Sequence, residues 1–446
     1  MFVYQELVAR AEREKPIRVG LIGAGKFGSM FLSQVPTTPA LQVSVIADLR
    51  PDNARKACAE VGWSDEQTGS VTFTDDAMEM LLRHDVDVVA EATGNPVAGL
   101  LHAREAIRQG KHIVMVNVEA DVLAGALLAE EARAAGVVYS MAYGDQPALT
   151  CEMVEWARAC GFNVVAAGKG TKYLPRYHAS TPDTVWDHYG LTPAQAAEAG
   201  MNPQMFNSFL DGTKSALEMA AVANATALTP PADGLLFPPA GMDDLAHVLR
   251  PATEGGQLAG KGMVEVVSSI ERDGRPVFRD LRWGVYVVIE APNPYAAACF
   301  RQYGMNTDAT GRYSAMYKPF HLIGLELNVS ILSAALLGKP TGSTLSFEGD
   351  VVAIAKRDLS AGETLDGEGG FTVYGKLLPA KKSLALGGLP IGLAQGVRLA
   401  ARVAAGQPVT WSDVEIDATH DAVKIRRDME QRFGWPAVES VAQIGA

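Results

Sequence analysis

The sequence predicts an α/β protein: a doubly wound parallel sheet at the N-terminus, an α+β catalytic domain, and a small β-rich C-terminal domain. Three observations predict it. A glycine-punctuated strand-to-helix turn opens the chain, strand and helix patterns alternate from there to about residue 140, and the texture then changes twice. The expected boundaries are 1–145, 146–345 and 346–446, about three domains for a chain of 446 residues.

The first strand covers the apolar run 17–22 and stops at Gly23-Ala24-Gly25-Lys26-Phe27-Gly28, a G-x-G-x-x-G spacing. In a dinucleotide site the first glycine permits the turn, the second admits the pyrophosphate, and the third lets helix and strand pack closely. The helix that follows aims unpaired N–H groups at the phosphates. Phe27, Met30, Phe31, Gln34 and Val35 give that helix its pattern, and Pro36 ends it. A second strand over 42–47 delivers Asp48 to the position expected of a ribose-binding acid. A helix over 51–61, a strand over 71–74, a helix over 75–83 and a buried strand over 86–92 follow. The strand ends at Thr93-Gly94-Asn95-Pro96, where Thr93 and Gly94 face the cofactor edge. Helix 97–109, strand 112–116, helix 121–135 and strand 137–140 complete a parallel sheet of Rossmann type, covered on both faces. The middle region reads as a helix after Pro147, a strand over 163–167, a basic loop over 168–178, an apolar helix over 214–225, and strands over 263–270 and 283–289. In the third region 358–365 and 402–409 echo one another, each with Ala-Gly between apolar positions as in a tight turn; a charged amphipathic helix follows over 421–433.

Nearly half of the residues are apolar, enough for sizeable cores, and the net charge is −12. That charge argues against nonspecific nucleic-acid binding and requires a local basic cluster for any anionic substrate. Cys58, Cys151, Cys160 and Cys299 show no Cys-x-x-Cys spacing and suit a reducing cytosol, so a cytoplasmic location is expected. Glu6, Arg10, Glu12 and Arg13 give the N-terminus a helix-like character without the apolar core of a signal peptide. The apolar stretch 321–338 contains Glu326, Asn328 and two serines and reads as a buried helix, with no membrane contact expected.

Several residues have the chemistry of a site. Asp48 suits the adenosine ribose, while Arg50 suits a 2′-phosphate. Asn117-Val118-Glu119 follows a strand's C-terminal end, where nicotinamide and substrate meet, although Glu119 equally suits a helix start. Asp145 and Glu152 lie two turns apart at a domain boundary and, with Glu218, suit a divalent cation; a capping Asp and a solvated Glu are the alternative. Lys169, Lys172, Arg176 and His178 make 168–178 an anion-binding loop, with Gly168 and Gly170 leaving its backbone open. Lys214 and Glu218 stand at i, i+4 on a helix apolar almost all round, so they form a stripe facing the cleft. A partly buried Lys214 with a lowered pKa suits proton transfer. Lys318 and His321 are further substrate-binding candidates.

With these residues in place, the chain resembles the 1-deoxy-D-xylulose 5-phosphate reductoisomerase-like oxidoreductases, a group related to homoserine dehydrogenases. The resemblance is carried by 23–28, by 168–173, by Phe209-Leu210-Asp211-Gly212-Thr213-Lys214 and by 317–321. The third region resembles a SAF-type β domain. The resemblance implies NADPH, a divalent metal (Mn or Mg), and conversion of 1-deoxy-D-xylulose 5-phosphate to 2-C-methyl-D-erythritol 4-phosphate, an early step of isoprenoid synthesis. It also implies a homodimer with a phosphorylated sugar as substrate. Val118 stands where homoserine dehydrogenases and ordinary reductoisomerases carry lysine, and the close-spaced acidic metal motif of the latter is absent. A dehydrogenase or oxidoisomerase of a sugar acid or of homoserine is the alternative. The expected roles are metal binding by Asp145, Glu152 and Glu218, proton transfer by Lys214 or Lys172, and phosphate binding by Lys169, Lys172 and Arg176.

Overall fold

Strand patterns broken by glycine turns produce a six-stranded parallel sheet. The computed structural model of the chain describes residues 3–13 and 15–434; the remaining part of the expected third domain, 435–446, lies outside the described residues. The strands are β1 (Ile17–Ile22), β2 (Leu41–Ala47), β3 (Thr72–Thr74), β4 (Val88–Glu91), β5 (His112–Met115) and β6 (Tyr139–Met141). Their order, β3-β2-β1-β4-β5-β6, is the doubly wound one, with the reversal between β1 and β4. Val19, Leu21, Val45, Val88 and Ile113 are fully buried, because a parallel sheet covered by helices has no solvent face.

The middle region forms a second, four-stranded sheet from β7 (Asn163–Thr171), β8 (Met263–Ser268), β9 (Val285–Glu290) and β10 (Tyr313–Lys318), in the order β10-β9-β7-β8. β7 is longer than expected. It runs through Gly168, Lys169 and Gly170, so these are strand residues and not an open loop. A Cβ on Gly168 would collide with Glu265 O, and one on Gly170 with Leu281 O. The glycines serve close backbone approach between protein segments. The segment expected as one helix over 321–338 is helical only from Asn328, as Asn328–Leu332 continued by a π-turn at Ser333–Leu337.

The C-terminal region pairs β11 (Gly349–Ala355) with β13 (Val373–Pro379), and forms a three-stranded sheet from β12 (Thr364–Asp366), β14 (Gln395–Leu399) and β15 (Val414–Glu415). The two echoed segments meet: Leu359 and Val403 exchange backbone hydrogen bonds of 2.8 and 3.1 Å.

Helix Thr213–Thr226 packs on helices Val118–Ala134 and Gln146–Ala159 and on β11 and β13, so it touches all three regions. Every residue of it except Lys214 is buried. Helix Asp421–Phe433 returns to the first domain. Its Arg426 is fully buried, donating to Asp350 Oδ2 at 2.7 Å and to Leu123 O at 3.2 Å. Asp121, also buried, accepts from Tyr139 Oη and Thr344 Oγ1 at 2.8 Å each, while its Oδ2 has no partner among the described residues. Burial pushes the Asp121 carboxyl up to about 6, against the pull of these two hydroxyls. No helix among the described residues is long and apolar enough to cross a membrane.

Two outcomes follow from these buried charges. Replacing Arg426 by Leu strands the Asp350 carboxylate and lowers stability by ~3–5 kcal/mol, read from the urea midpoint of tryptophan fluorescence. For Asp121, the folded chain holds its proton to higher pH than the unfolded chain. Its contribution is therefore complete in acid and is lost as pH rises through about 6. The stability of Asp121→Asn relative to the parent improves by ~1.4 kcal/mol per pH unit across that window. Equal differences at pH 5 and pH 8 would contradict it.

Candidate active site

The cofactor edge is built by sterics. Gly23 has φ +92°, and a Cβ there would lie 2.7 Å from Ala92 O. A Cβ on Gly28 would collide with Gly23 O, whereas a Cβ on Gly25 would meet nothing within 4 Å. Two glycines are thus required by protein packing, and the third faces open space where a pyrophosphate must approach. Helix Lys26–Gln34 starts at Gly25 with no side-chain cap, leaving its first N–H groups for a phosphate. These residues fit a dinucleotide, with Ala24 buried under the loop and Lys26 exposed beside it. Phe27 supports the segment 317–326, whose Gly324 packs against Phe27 O and Met30.

Asp48 does more than await a ribose. Its Oδ2 accepts from Ala24 N and its Oδ1 from Arg50 N, both at 2.9 Å, so the carboxylate ties the glycine loop to the β2 end. The Arg50 side chain is exposed and has no hydrogen-bond partner among the described residues.

Asn117 is not the exposed substrate ligand expected. It is 1 % exposed and caps helix Val118–Ala134 by accepting from Ala120 N at 3.0 Å. Its Nδ2 donates to Asn95 O at 2.8 Å and Thr93 Oγ1 at 3.3 Å, which fixes the turn holding Thr93 and Gly94. Glu119 turns the other way. Its Oε1 accepts from Lys214 Nζ at 2.5 Å, joining the first domain to the central helix.

Lys214 therefore lies within a cluster. Burial opposes its charge, but Glu119, Glu218, Asp145 and Glu368 outweigh burial and raise its pKa. The expected lowering of this lysine is overturned: four carboxylates hold the proton on it. Glu218 pairs with buried Lys169, which makes Lys169 a counter-ion within the core and not a free phosphate ligand. Asp145 caps helix Gln146–Ala159, accepting from Gln146 N at 2.9 Å. Burial first, and then the charge of Glu218, push Asp145 up to about 6, while Lys214 and His321 act in the opposite sense. His321 Nδ1 donates to Trp283 O at 2.7 Å, which fixes the orientation of the ring. Asp145, Lys214, Glu218, Lys169, Glu119 and His321, drawn from distant parts of the chain, are thus brought together.

The expected cation site is not. Glu152 is separated from this cluster, accepting from Lys318 Nζ at 2.5 Å and Tyr143 Oη at 2.8 Å. Among the described residues no group of three or more His, Cys, Asp or Glu side chains is placed to hold a metal. Glu119, Glu152 and Glu218 are each neutralised by a lysine, so these residues do not fit a divalent cation.

A second cationic group lies at the end of β7. Lys172 Nζ donates to His188 O at 2.5 Å and stands 5.7 Å from the Tyr189 ring. Burial, and then nearby Arg282, lower its pKa. Arg282 stacks over Tyr189 at 5.9 Å and Trp283 at 4.7 Å, and exposed Arg176 lies 5.6 Å from the Tyr177 ring. Among the described residues none of these three cations has a carboxylate in ion-pair contact, unlike Lys169, Lys214 and Lys318. The adjacent Trp283 carbonyl holds His321, which joins this group to the Asp145 cluster. His178, expected in the anion loop, is partly buried and occupied by the protein: its Nδ1 donates to Asp211 O, its Nε2 accepts from Tyr173 Oη, and it stacks on Tyr374.

Arg282 and Glu368 were missed by sequence reasoning. Arg282 lies in a turn with no motif; Glu368, between Gly367 and Gly369, had a glycine signal that pointed only to a turn.

Family models match the chain in three consecutive segments. Residues 17–142 match an oxidoreductase family with an NAD-binding Rossmann fold, 144–327 the catalytic domain of oxidoreductase DRL, and 350–415 a SAF domain. The domain set is that of an NAD(P)-dependent oxidoreductase. Among curated proteins, homoserine dehydrogenase of Neisseria gonorrhoeae is 30% identical over 112 residues, which is 23% of this chain and 23% of that protein. The matched region thus spans about a quarter of that relative's length. Of solved structures, a homoserine dehydrogenase from Thiobacillus denitrificans is similar at 20% identity and TM-score 0.35, over 48% of this chain and 49% of that one. A 3-ketoreductase from Actinomadura kijaniata, solved with NADP and TDP-benzene, is similar at 21% identity and TM-score 0.27, over 37% of this chain and 51% of that one.

The glycine geometry makes a divided expectation. Gly25→Val folds with an unchanged melting temperature yet weakens NADPH binding by at least ~10-fold, because its side chain fills only the ligand's space. Gly28→Val loses stability through its clash with Gly23 O. Thermal melts and fluorescence titration separate the two; equal NADPH affinity in Gly25→Val and parent would overturn the assignment.

Proposed function

We propose that this protein is an NADPH-dependent reductoisomerase of 1-deoxy-D-xylulose 5-phosphate, yielding 2-C-methyl-D-erythritol 4-phosphate. The observation that carries this reading is the Lys214–Glu119 pair: a partly buried ammonium group among carboxylates, bonded to the residue two positions after Asn117 at the sheet's C-terminal edge. The match of 144–327 to the DRL catalytic domain supports it. When bound, NADPH supplies a hydride. The remaining work belongs to the chain. Both the rearrangement and the reduction place negative charge on substrate oxygen, and Lys214, locked in its charged form, stabilises such charge as a preorganised donor. Asp145, poised at about 6, and His321 exchange protons with the substrate hydroxyls. Lys172, Arg176 and Arg282 bind the phosphate; their guanidinium groups offer forked donors and no protein carboxylate competes.

No step is assigned to a divalent cation, since the carboxylates that would hold it are already paired with lysines. We assign the 2′-phosphate that distinguishes NADPH from NADH to Arg50, whose exposure two residues after Asp48 supports the reading. A second reading, oxidation of homoserine, draws on the curated relative alone, and Val118 in place of that family's lysine weighs against it.

Steady-state assay of the purified chain with 1-deoxy-D-xylulose 5-phosphate and NADPH tests the reading. Oxidation of NADPH that persists in EDTA is expected. Arg282→Ala raises the substrate KM by ~10-fold or more with little change in the KM for NADPH. Normal NADPH binding without turnover would remove the substrate assignment and leave the homoserine alternative to a separate panel.

A further inference from the structure

The segment from the end of β12 to β13 is held at four backbone positions, three of them by side chains of the catalytic domain and one by Lys356 of the C-terminal region itself. Gln204 Nε2 donates to Asp366 O at 3.0 Å and to Glu368 O at 2.9 Å. Asn207 Nδ2 donates to Gly369 O at 2.8 Å, and Lys356 Nζ to Gly370 O at 2.7 Å. Lys356 is itself paired with buried Asp211 at 2.8 Å, immediately before the central helix. The approach is close enough that a Cβ on Gly369 would collide with Gln204 O. A surface turn of a β domain does not need this many anchors. Their combined effect is to deliver one side chain, Glu368, whose Oε1 accepts from Ser208 Oγ and whose carboxyl acts electrostatically on Lys214.

We propose that Glu368 is a positioning residue of the reaction centre, contributed by the C-terminal β region to control the pairing of Lys214 with Glu119. The inference rests on the function proposed above and deepens it, by giving the C-terminal region a part in the chemistry. Facing Glu368 are Glu119 from the first domain, Lys214 and Asp211 from the catalytic domain, and the Ser208 hydroxyl. Burial first, and then the negative charge of Glu119, push its carboxyl up to about 8, while Lys214 and Ser208 act in the opposite direction. At neutral pH Glu368 is therefore a neutral acid and Lys214 stays with Glu119. Above that value Glu368 ionises and competes with Glu119 for the same ammonium group.

The test is the pH dependence of kcat in the full chain, with three variants. The parent loses activity on the alkaline side near pH 8. Glu368→Gln, which copies the neutral acid at every pH, loses that alkaline transition. Glu368→Asp keeps the transition and so rescues the profile. Ser208→Ala, which removes a donor favouring the ionised form, moves the transition to higher pH. A second readout needs no turnover: amine labelling of Lys214 by an N-hydroxysuccinimide ester at pH 9, quantified by peptide mass spectrometry. Loss of one of the four carboxylates that hold its proton makes Lys214 label several-fold faster in Glu368→Gln than in the parent. If the parent binds NADPH but turns over no substrate, the functional reading fails and the labelling alone decides the coupling. An alkaline transition and a Lys214 labelling rate unchanged in Glu368→Gln would overturn the proposal.

Discussion

Helix Thr213–Thr226 is buried on all sides but carries two charges, Lys214 and Glu218. A buried ion without a partner costs several kcal/mol, so the surrounding structure has to bring opposite charges to it. Glu119 comes from the first domain and Lys169 from the second sheet, while the C-terminal region adds the ionisable carboxyl of Glu368. The helix is thus where the three regions are tied together and where charge is concentrated. Its small residues, Ala216, Ala220, Ala221, Ala223 and Ala225, allow helices and strands to approach closely enough for these side chains to reach one another.

Around this helix the same elements serve both folding and chemistry. Asn117 caps one helix while its amide fixes the turn that carries Thr93. Asp145 caps another while its side chain joins the Lys214 cluster. Asp48 holds the glycine loop in shape. Side chains spent on structure in this way also pre-set the positions of the groups beside them, and preorganised charge is what stabilises developing charge in a reaction. The cations are of two kinds. Lys169, Lys214 and Lys318 are neutralised by carboxylates, whereas Lys172, Arg176 and Arg282 rest on aromatic rings and carbonyls and keep their charge available for an anion.

Much of the site was legible before any tertiary structure. The glycine spacing marked the turn at which Gly25 faces open space, because local geometry dictates which residue types tolerate that turn. The apolar surroundings of Lys214 showed a buried charged stripe, and the domain boundary drew attention to Asp145. Partner choice was not legible. Glu218 is four residues from Lys214, a separation that favours a pair on one helix, yet each found its partner elsewhere. The 168–170 glycines resemble a ligand loop in one dimension and become a strand interior once Glu265 and Leu281 are packed against them.

The alternating strands and helices of the first region and its glycine turn were determined by the sequence alone, since periodicity, glycine conformation and capping act over a few residues; the extent of β7 and the helix start at Asn328 were not. Which charges meet was decided by tertiary packing. Lys214 was expected to lose its proton readily on burial, and instead holds it strongly, because three further segments of chain place carboxylates around it. Burial can be inferred from a run of alanines; the sign of the field inside a protein depends on residues far away in the chain, here Glu119, Asp145 and Glu368.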